Sequence, residues 1–134
     1  MLYEVENIPE SVTFEQLDSV ISFTLNALDF DCDSQLVIEF DDTMEVGQCG
    51  FFEYDEDELL ISISHLLQGE EMLRTIIHEL VHARQILTGQ YVPGEGRKAG
   101  TWEGVTYDCD YMNLPWEKEA YALEETIYES YRLH

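Results

Sequence analysis

The residues with the clearest chemical content form the motif His78-Glu79-Leu80-Val81-His82. Residues four apart on a helix lie on one face, one turn apart, so both imidazoles can reach a single ion. Zinc prefers imidazole nitrogen and carboxylate oxygen, and a bound zinc lowers the pKa of its water towards about 7. Glu79 lies at a neighbouring angle, where its carboxylate can remove the proton as that water attacks a carbonyl. The motif therefore predicts one Zn2+ between His78 and His82, with Glu79 as the general base.

A catalytic zinc site needs a third protein ligand and one open position. The remaining histidines, His65 and His134, do not follow the motif at the spacing of a third histidine ligand. A carboxylate from the predicted C-terminal helix is the better candidate. Glu117 and Glu119 flank the apolar face of that helix on opposite sides, and periodicity alone does not choose between them.

Two segments of the sequence resemble one family of enzymes. The HELVH motif with a glutamate-containing helix downstream is similar to the gluzincin group of zinc metallopeptidases. The segment Leu114-Pro-Trp-Glu-Lys-Glu-Ala120 resembles the Pro-x-Glu-x-Glu-Ala segment of the minigluzincins and of related small phage-encoded peptidases. The resemblance covers residues 59 to 128. It implies a minimal zincin-like α+β fold and the hydrolysis of peptide bonds by metal-activated water.

The resemblance also assigns roles to individual residues. It implies that His78, His82 and Glu117 are the zinc ligands and that Glu79 is the general base and acid. Glu119 remains the alternative third ligand. No further cofactor is expected beside the one Zn2+.

Other polar residues are candidates for supporting roles. A developing oxyanion needs a hydrogen-bond donor beside the metal, and Tyr121, Tyr107 and Tyr111 are candidates, although such tyrosines more often pack or line a rim. Tyr121 stands where the family often has an Asp or Asn that supports a ligand histidine, which leaves that supporting partner open. Arg84 is expected to form an ion pair with a nearby carboxylate.

Three helices are predicted to position these residues. The first begins with a capping box at Thr13 and Gln16. Its apolar residues recur at spacings of three and four, namely Phe14, Leu17, Ile21, Leu25 and Leu28. The second helix, which carries HELVH, is expected from Gly69 to Thr88, with Gly89 as a left-handed cap. The last helix is expected from Pro115 to Tyr131.

Three strands are predicted at 36–40, 51–54 and 59–64, the last two as a hairpin, in a small and mostly antiparallel sheet. Ser62 and Ser64 share one face of the last strand. They indicate an edge strand with a solvated side, which is either a plain edge or an acceptor of an extended peptide by strand addition. The first ten residues are expected to form an extended arm. Residues 90 to 114 are expected to form a long functional or mobile loop.

Composition limits the classes of function. The chain has 134 residues, 29 acidic and 6 basic, so its formal net charge is −23. Such a chain repels phosphate backbones and anionic membranes, which excludes nucleic acid and membrane surfaces as partners. A hydrophobic content of 45% argues against disorder.

We expect one domain over residues 1–134. Three unpaired cysteines and the lack of a signal peptide or membrane span predict a cytoplasmic protein.

The leading hypothesis is thus a monomeric zinc metallopeptidase acting on basic or neutral peptides. The resemblance to small gluzincins also implies that the enzyme can be latent, with the C-terminal residues Tyr131 to His134 reaching the metal and inhibiting it. Two alternatives remain. One is an acidic binding protein that mimics DNA or sequesters a basic partner, and the other is a zincin-like domain with a non-catalytic zinc.

Overall fold

The computed structural model describes residues 3–30, 35–42, 50–55, 58–94, 99–108 and 113–133. In these ranges the helices are α1 (Phe14–Ala27), α2 (Gly69–Leu87) and α3 (Pro115–Arg132). The strands are β1 (Tyr3–Glu6), β2 (Gln35–Asp41), β3 (Gly50–Asp55), β4 (Glu58–Ser64), β5 (Tyr91–Pro93), β6 (Ala99–Trp102) and β7 (Val105–Asp108). The expected α+β class is confirmed. None of the helices in the described ranges is both long and apolar enough to cross a membrane.

The larger sheet has the strand order β1-β2-β4-β3. Its β1–β2 and β2–β4 pairs are parallel, and only β3 runs antiparallel to its neighbour β4. The prediction of a three-stranded, mostly antiparallel sheet is therefore wrong, although the β3–β4 hairpin is confirmed. The N-terminal arm adds the fourth strand, and α1 supplies the long crossover that a parallel pair requires.

Strand β4 is not an edge strand, because it lies between β2 and β3. Its serines are buried, with exposures of only 3% for Ser62 and 2% for Ser64. The Ser64 hydroxyl accepts a hydrogen bond from the Leu66 backbone N–H at 3.3 Å. A small hydroxyl can enter a core when it is hydrogen-bonded in this way. The predicted solvated face, and the strand addition of a peptide along β4, are therefore wrong.

The helices follow their sequence signals closely. Thr13 and Gln16 form the predicted capping box, and Gly89 has the predicted left-handed backbone, with φ of +80°. Pro115 lies in the first turn of α3. In α1 the prediction fails at Phe14, which is 47% exposed, whereas Val20 joins the buried face.

Helix α2 lies at the centre of the molecule, since it contacts α1, α3 and the larger sheet. The core lies around it and is built from aliphatic side chains of β2, β4 and the three helices. Its completely buried members include Leu36, Ile38, Leu59, Ile61, Ile63, Leu17, Ile21, Ile76, Ile77 and Leu80. All residues of α2 from Ile76 to Ala83 are buried, and this stretch includes both histidines of the motif.

A second sheet, β5-β6-β7, is antiparallel throughout and occupies much of the region predicted as a loop. That prediction is wrong for residues 91–93 and 99–108. Gly100 lies tightly against this sheet's own core, since a Cβ there would lie 2.8 Å from Tyr91 Cε1 and 3.2 Å from Trp116 Cη2. Expectations for Tyr111, His134 and the three cysteines concern positions outside the described residues.

Candidate metal centre

Three predicted ligands meet where α2 packs on α3. His78 and His82 lie one turn apart on α2, and Glu117 lies in the first turn of α3. Their exposures are 7%, 2% and 6%. Ala120, also completely buried, faces the same helix interface and leaves room for the two helices to approach. The packing of α2 on α3 thus buries two imidazoles and a carboxylate together.

The donor atoms form a small triangle. Glu117 Oε1 lies 3.0 Å from His78 Nε2 and 3.1 Å from His82 Nε2, and the two Nε2 atoms are 3.2 Å apart. Donors bound at about 2.0–2.1 Å to a tetrahedral zinc lie about 3.3–3.4 Å from one another. The triangle therefore matches one face of such a tetrahedron to within a few tenths of an ångström.

The outer nitrogen of each histidine is held by an oxygen. His78 Nδ1 lies 3.0 Å from Glu124 Oε1, and His82 Nδ1 lies 2.8 Å from Gln85 Oε1. The Gln85 amide orientation is set independently, because its Nε2 donates to the Trp116 carbonyl at 3.1 Å. Each Nδ1 therefore carries its hydrogen and donates it outward, so that each Nε2 faces the interior of the triangle.

Two Nε2 atoms and the ionised Glu117 carboxylate thus converge inside the triangle. In the metal-free chain a proton on His78 supplies positive charge beside the Glu117 carboxylate. A metal ion that replaced this proton would find a lone pair on each Nε2 and the carboxylate as a third donor. The donor set of two imidazoles and one carboxylate is the set that zinc takes in catalytic sites. The residues present therefore fit a zinc ion.

The pKa values report the same attraction for positive charge. Burial opposes the charged form of His78, but hydrogen bonds to Glu117 and Glu124 outweigh it and raise the pKa of His78 to about 9. Burial also favours the neutral form of Glu117, but hydrogen bonds from His78 and His82 outweigh it and lower that pKa to about 2. The Glu117 carboxylate is accordingly ionised at neutral pH and available as a ligand.

Glu79, the expected general base, is on α2 beside the first ligand and is only 6% exposed. Its negative charge acts on His78 and contributes to the raised pKa of that imidazole. A carboxylate in so dry a position interacts strongly with nearby charge, because little water screens it. Glu79 is thus placed next to the donor triangle without belonging to it.

Glu119, the alternative ligand, points to a different set of partners. Its Oε1 accepts from Gln85 Nε2 at 3.2 Å, and its Oε2 accepts from Gln90 Nε2 at 3.4 Å. Arg84 lies 3.6 Å from the same carboxylate, which confirms that Arg84 pairs with a nearby acid. The structure therefore places Glu117, and not Glu119, at the two histidines.

Glu124 and Gln85 are functional candidates that sequence reasoning did not identify. Glu124 follows Glu117 by seven residues, which is two helical turns and hence the same face of α3. Gln85 follows His82 by three residues on α2. Helical spacing from a ligand was thus an available signal for both. The partner sought at Tyr121, one turn after Glu117, lies one turn further along, at Glu124.

Aromatic rings surround the triangle. The Tyr121 ring lies 4.5 Å from that of His78 and is 40% exposed, so it forms part of a rim. Tyr91 lies 6.4 Å from His82 and stacks on Trp116 at 4.4 Å. Tyr107 contacts the edge of Trp116. Of the predicted oxyanion donors, Tyr121 therefore lies beside a ligand, whereas Tyr107 packs against the cluster of Tyr91, Leu114 and Trp116.

Comparison of the chain with protein-family models, curated proteins and solved structures gives no match. The interpretation of the site consequently depends on its own chemistry and geometry. Within the described ranges, His78, His82 and Glu117 form the group of potential ligands whose donor atoms approach closely enough for one ion, all within 4.8 Å of one another.

Proposed function

We propose that this chain is a zinc-dependent peptidase of the gluzincin type with a minimal zincin-like fold. The single observation that carries the proposal is the convergence of His78 Nε2, His82 Nε2 and Glu117 Oε1 within 3.2 Å of one another. When bound, zinc would polarise a substrate carbonyl and make a water molecule acidic. Three protein donors leave a fourth position for that water.

The remaining roles fall to residues of the chain itself. Glu79 takes the proton from the attacking water and then delivers it to the leaving amine, as a buried carboxylate beside the ligands can do. Tyr121, half-exposed against His78, is the donor best placed to meet the oxyanion at the rim. Glu124 and Gln85 keep the two imidazoles in the tautomer that presents Nε2.

The proposal is tested first by metal content and cleavage. Purified protein is expected to bind one zinc per chain, and His78→Ala is expected to abolish that binding. Glu79→Gln is expected to keep the zinc while hydrolysis of a peptide library falls at least about 100-fold, because the proton acceptor is lost. Glu71→Gln is the matched control, since Glu71 is an exposed carboxylate in the first turn of the same helix. It is expected to keep both properties.

Three outcomes would contradict the proposal or one of its roles. If the wild-type chain does not bind stoichiometric zinc, the alternative of an acidic binding protein is favoured. Stoichiometric zinc without any hydrolysis would favour a structural ion, which is consistent with three donors that join α2 to α3. Unchanged hydrolysis in Glu79→Gln would remove Glu79 from the reaction.

A further inference from the structure

Arg74 lies one helical turn before His78 on α2, on the side of the imidazole that faces away from the donor triangle. We propose that Arg74 is a positioning residue of the metal centre, acting on His78 through Glu124. The inference rests on the proposed zinc site. It adds a residue that neither the motif nor the resemblance contains.

Glu124 connects the two side chains because its two oxygens serve different partners. Oε1 accepts from His78 Nδ1 at 3.0 Å, and Oε2 lies 3.5 Å from the Arg74 guanidinium. The Glu124 side chain is only 14% exposed. A largely buried carboxylate is costly unless a positive charge and hydrogen bonds compensate it. Arg74 supplies that charge, and the shared carboxylate has its orientation set from both ends.

Arg74 is itself held from several directions. Its guanidinium lies 4.5 Å from the centre of the Tyr128 ring, in the geometry of a cation–π contact. Its Nε donates to Glu70 Oε2 at 3.1 Å, and a terminal nitrogen lies 3.8 Å from Glu129 Oε1. The guanidinium is thus held by the Tyr128 ring and by carboxylates on α2 and α3, which leaves it few alternative positions. It can therefore transmit a defined orientation to Glu124.

The direction of the effect separates positioning from simple charge. A positive charge near a metal site repels the ion, so its removal on charge alone would tighten zinc binding. Positioning predicts the opposite, because without Arg74 the Glu124 carboxylate can turn towards water and release His78. Arg74→Met is therefore expected to weaken zinc binding by about 5- to 50-fold, in the range of outer partners of metal ligands.

The experiment measures zinc affinity by competition with a chromophoric chelator in the full chain. Arg132→Met is the matched control, because Arg132 pairs with Glu129 and the same positive charge is lost without contact to Glu124. Its affinity is expected to stay within about 2-fold of wild type. Arg74→Lys, which restores the charge beside Glu124, is expected to recover part of the loss. Cobalt absorption is expected to change in Arg74→Met and not in Arg132→Met.

A double-mutant cycle tests the route through Glu124. If Arg74 acts through Glu124, Arg74→Met is expected to cause no additional weakening in a Glu124→Ala chain. Additive losses, or wild-type affinity in Arg74→Met, would overturn the inference. Circular dichroism and unfolding of the metal-free variants identify any variant that has lost its fold. Glu70→Gln is a second control, because it removes one ion pair of Arg74 without touching Glu124. Failure of wild-type protein to bind zinc would overturn the proposed function instead.

Discussion

At the scale of single residues, the two glutamates of α3 that look equivalent in the sequence have different surroundings. Glu117 contacts both histidines of the motif, whereas Glu119 contacts Gln85 and Gln90. A ligand contributes directly to metal affinity, and a residue one contact away contributes by orienting the ligand. The same substitution is therefore expected to reduce zinc affinity much more at Glu117 than at Glu119.

Glu117→Gln is expected to weaken zinc binding by more than about 100-fold, because an ionised ligand becomes a neutral amide. Glu119→Gln is expected to weaken it by less than about 10-fold, since Glu119 contacts Gln85, Gln90 and Arg84 and is linked to His82 through Gln85. Titration of both metal-free proteins with zinc against a competing chelator measures the difference. The reverse order of the two affinities would mean that the wrong carboxylate has been assigned as the ligand.

Residue types and helical spacing were sufficient to predict that His78 and His82 lie together, with Glu79 beside them; their roles as ligands and base stay predictions. His78, Glu79 and His82 needed only their positions on one helix, which apolar periodicity predicts well. The choice of Glu117 required the packing of α3 on α2, because both glutamates flank the apolar face at similar angles. Glu124 was missed because its importance comes from a contact with His78, 46 residues away in the chain.

At the scale of elements, helices were predicted better than strands. Alternation along β4 indicated a strand but contained no information about its neighbours, so its place between β2 and β3 and its parallel pairing with β2 were not predictable. Strands β5, β6 and β7 have only three or four residues each, and β5 contains a proline and β6 a glycine. Their pairing depends on the aromatic cluster beneath them, which forms only in the folded chain.

Gly100 tests the contact between that second sheet and the start of α3. Gly100→Ala is expected to lower the free energy of unfolding by about 1–3 kcal/mol, because the added methyl group overlaps Tyr91 and the Val92 carbonyl. Thr106→Ala, at an exposed position of β7, is the control and is expected to change it by less than about 0.5 kcal/mol. Urea unfolding measures both. Equal stability of Gly100→Ala and wild type would show that the sheet can move away from Trp116.

At the scale of the whole molecule, the basic residues of the chain are too few to neutralise its acidic residues. The chain has 6 basic and 29 acidic residues. The described arginines Arg74, Arg84 and Arg132 all lie beside glutamates, so their charge is already engaged. The field that remains attracts cations and basic peptides and repels acidic ones. We therefore expect the net charge to influence which peptides bind, while the proposed metal site would carry out the hydrolysis.

The consequence is a dependence of cleavage on salt and on peptide charge. Raising ionic strength from about 0.01 M to about 0.15 M shortens the screening length from about 30 Å to about 8 Å. We expect kcat/KM for a lysine-flanked peptide to fall at least about 3-fold over this range, while that for an uncharged analogue stays constant. The measurement compares both peptides at each salt concentration. Equal salt dependence of the two would exclude electrostatic selection of substrate.

The position of the donor triangle across two helices has a mechanical consequence. His82 and Glu117 are 35 residues apart in the chain, and the segment between them contains all of β5, β6 and β7. An ion held by both would act as a reversible cross-link that closes this segment into a loop. Unlike a disulfide, the ion would bind the folded chain and leave the unfolded chain, so its binding free energy would add to the free energy of unfolding. The metal would then stabilise the second sheet without contacting it, and chelation would loosen a part of the fold that supplies no ligand.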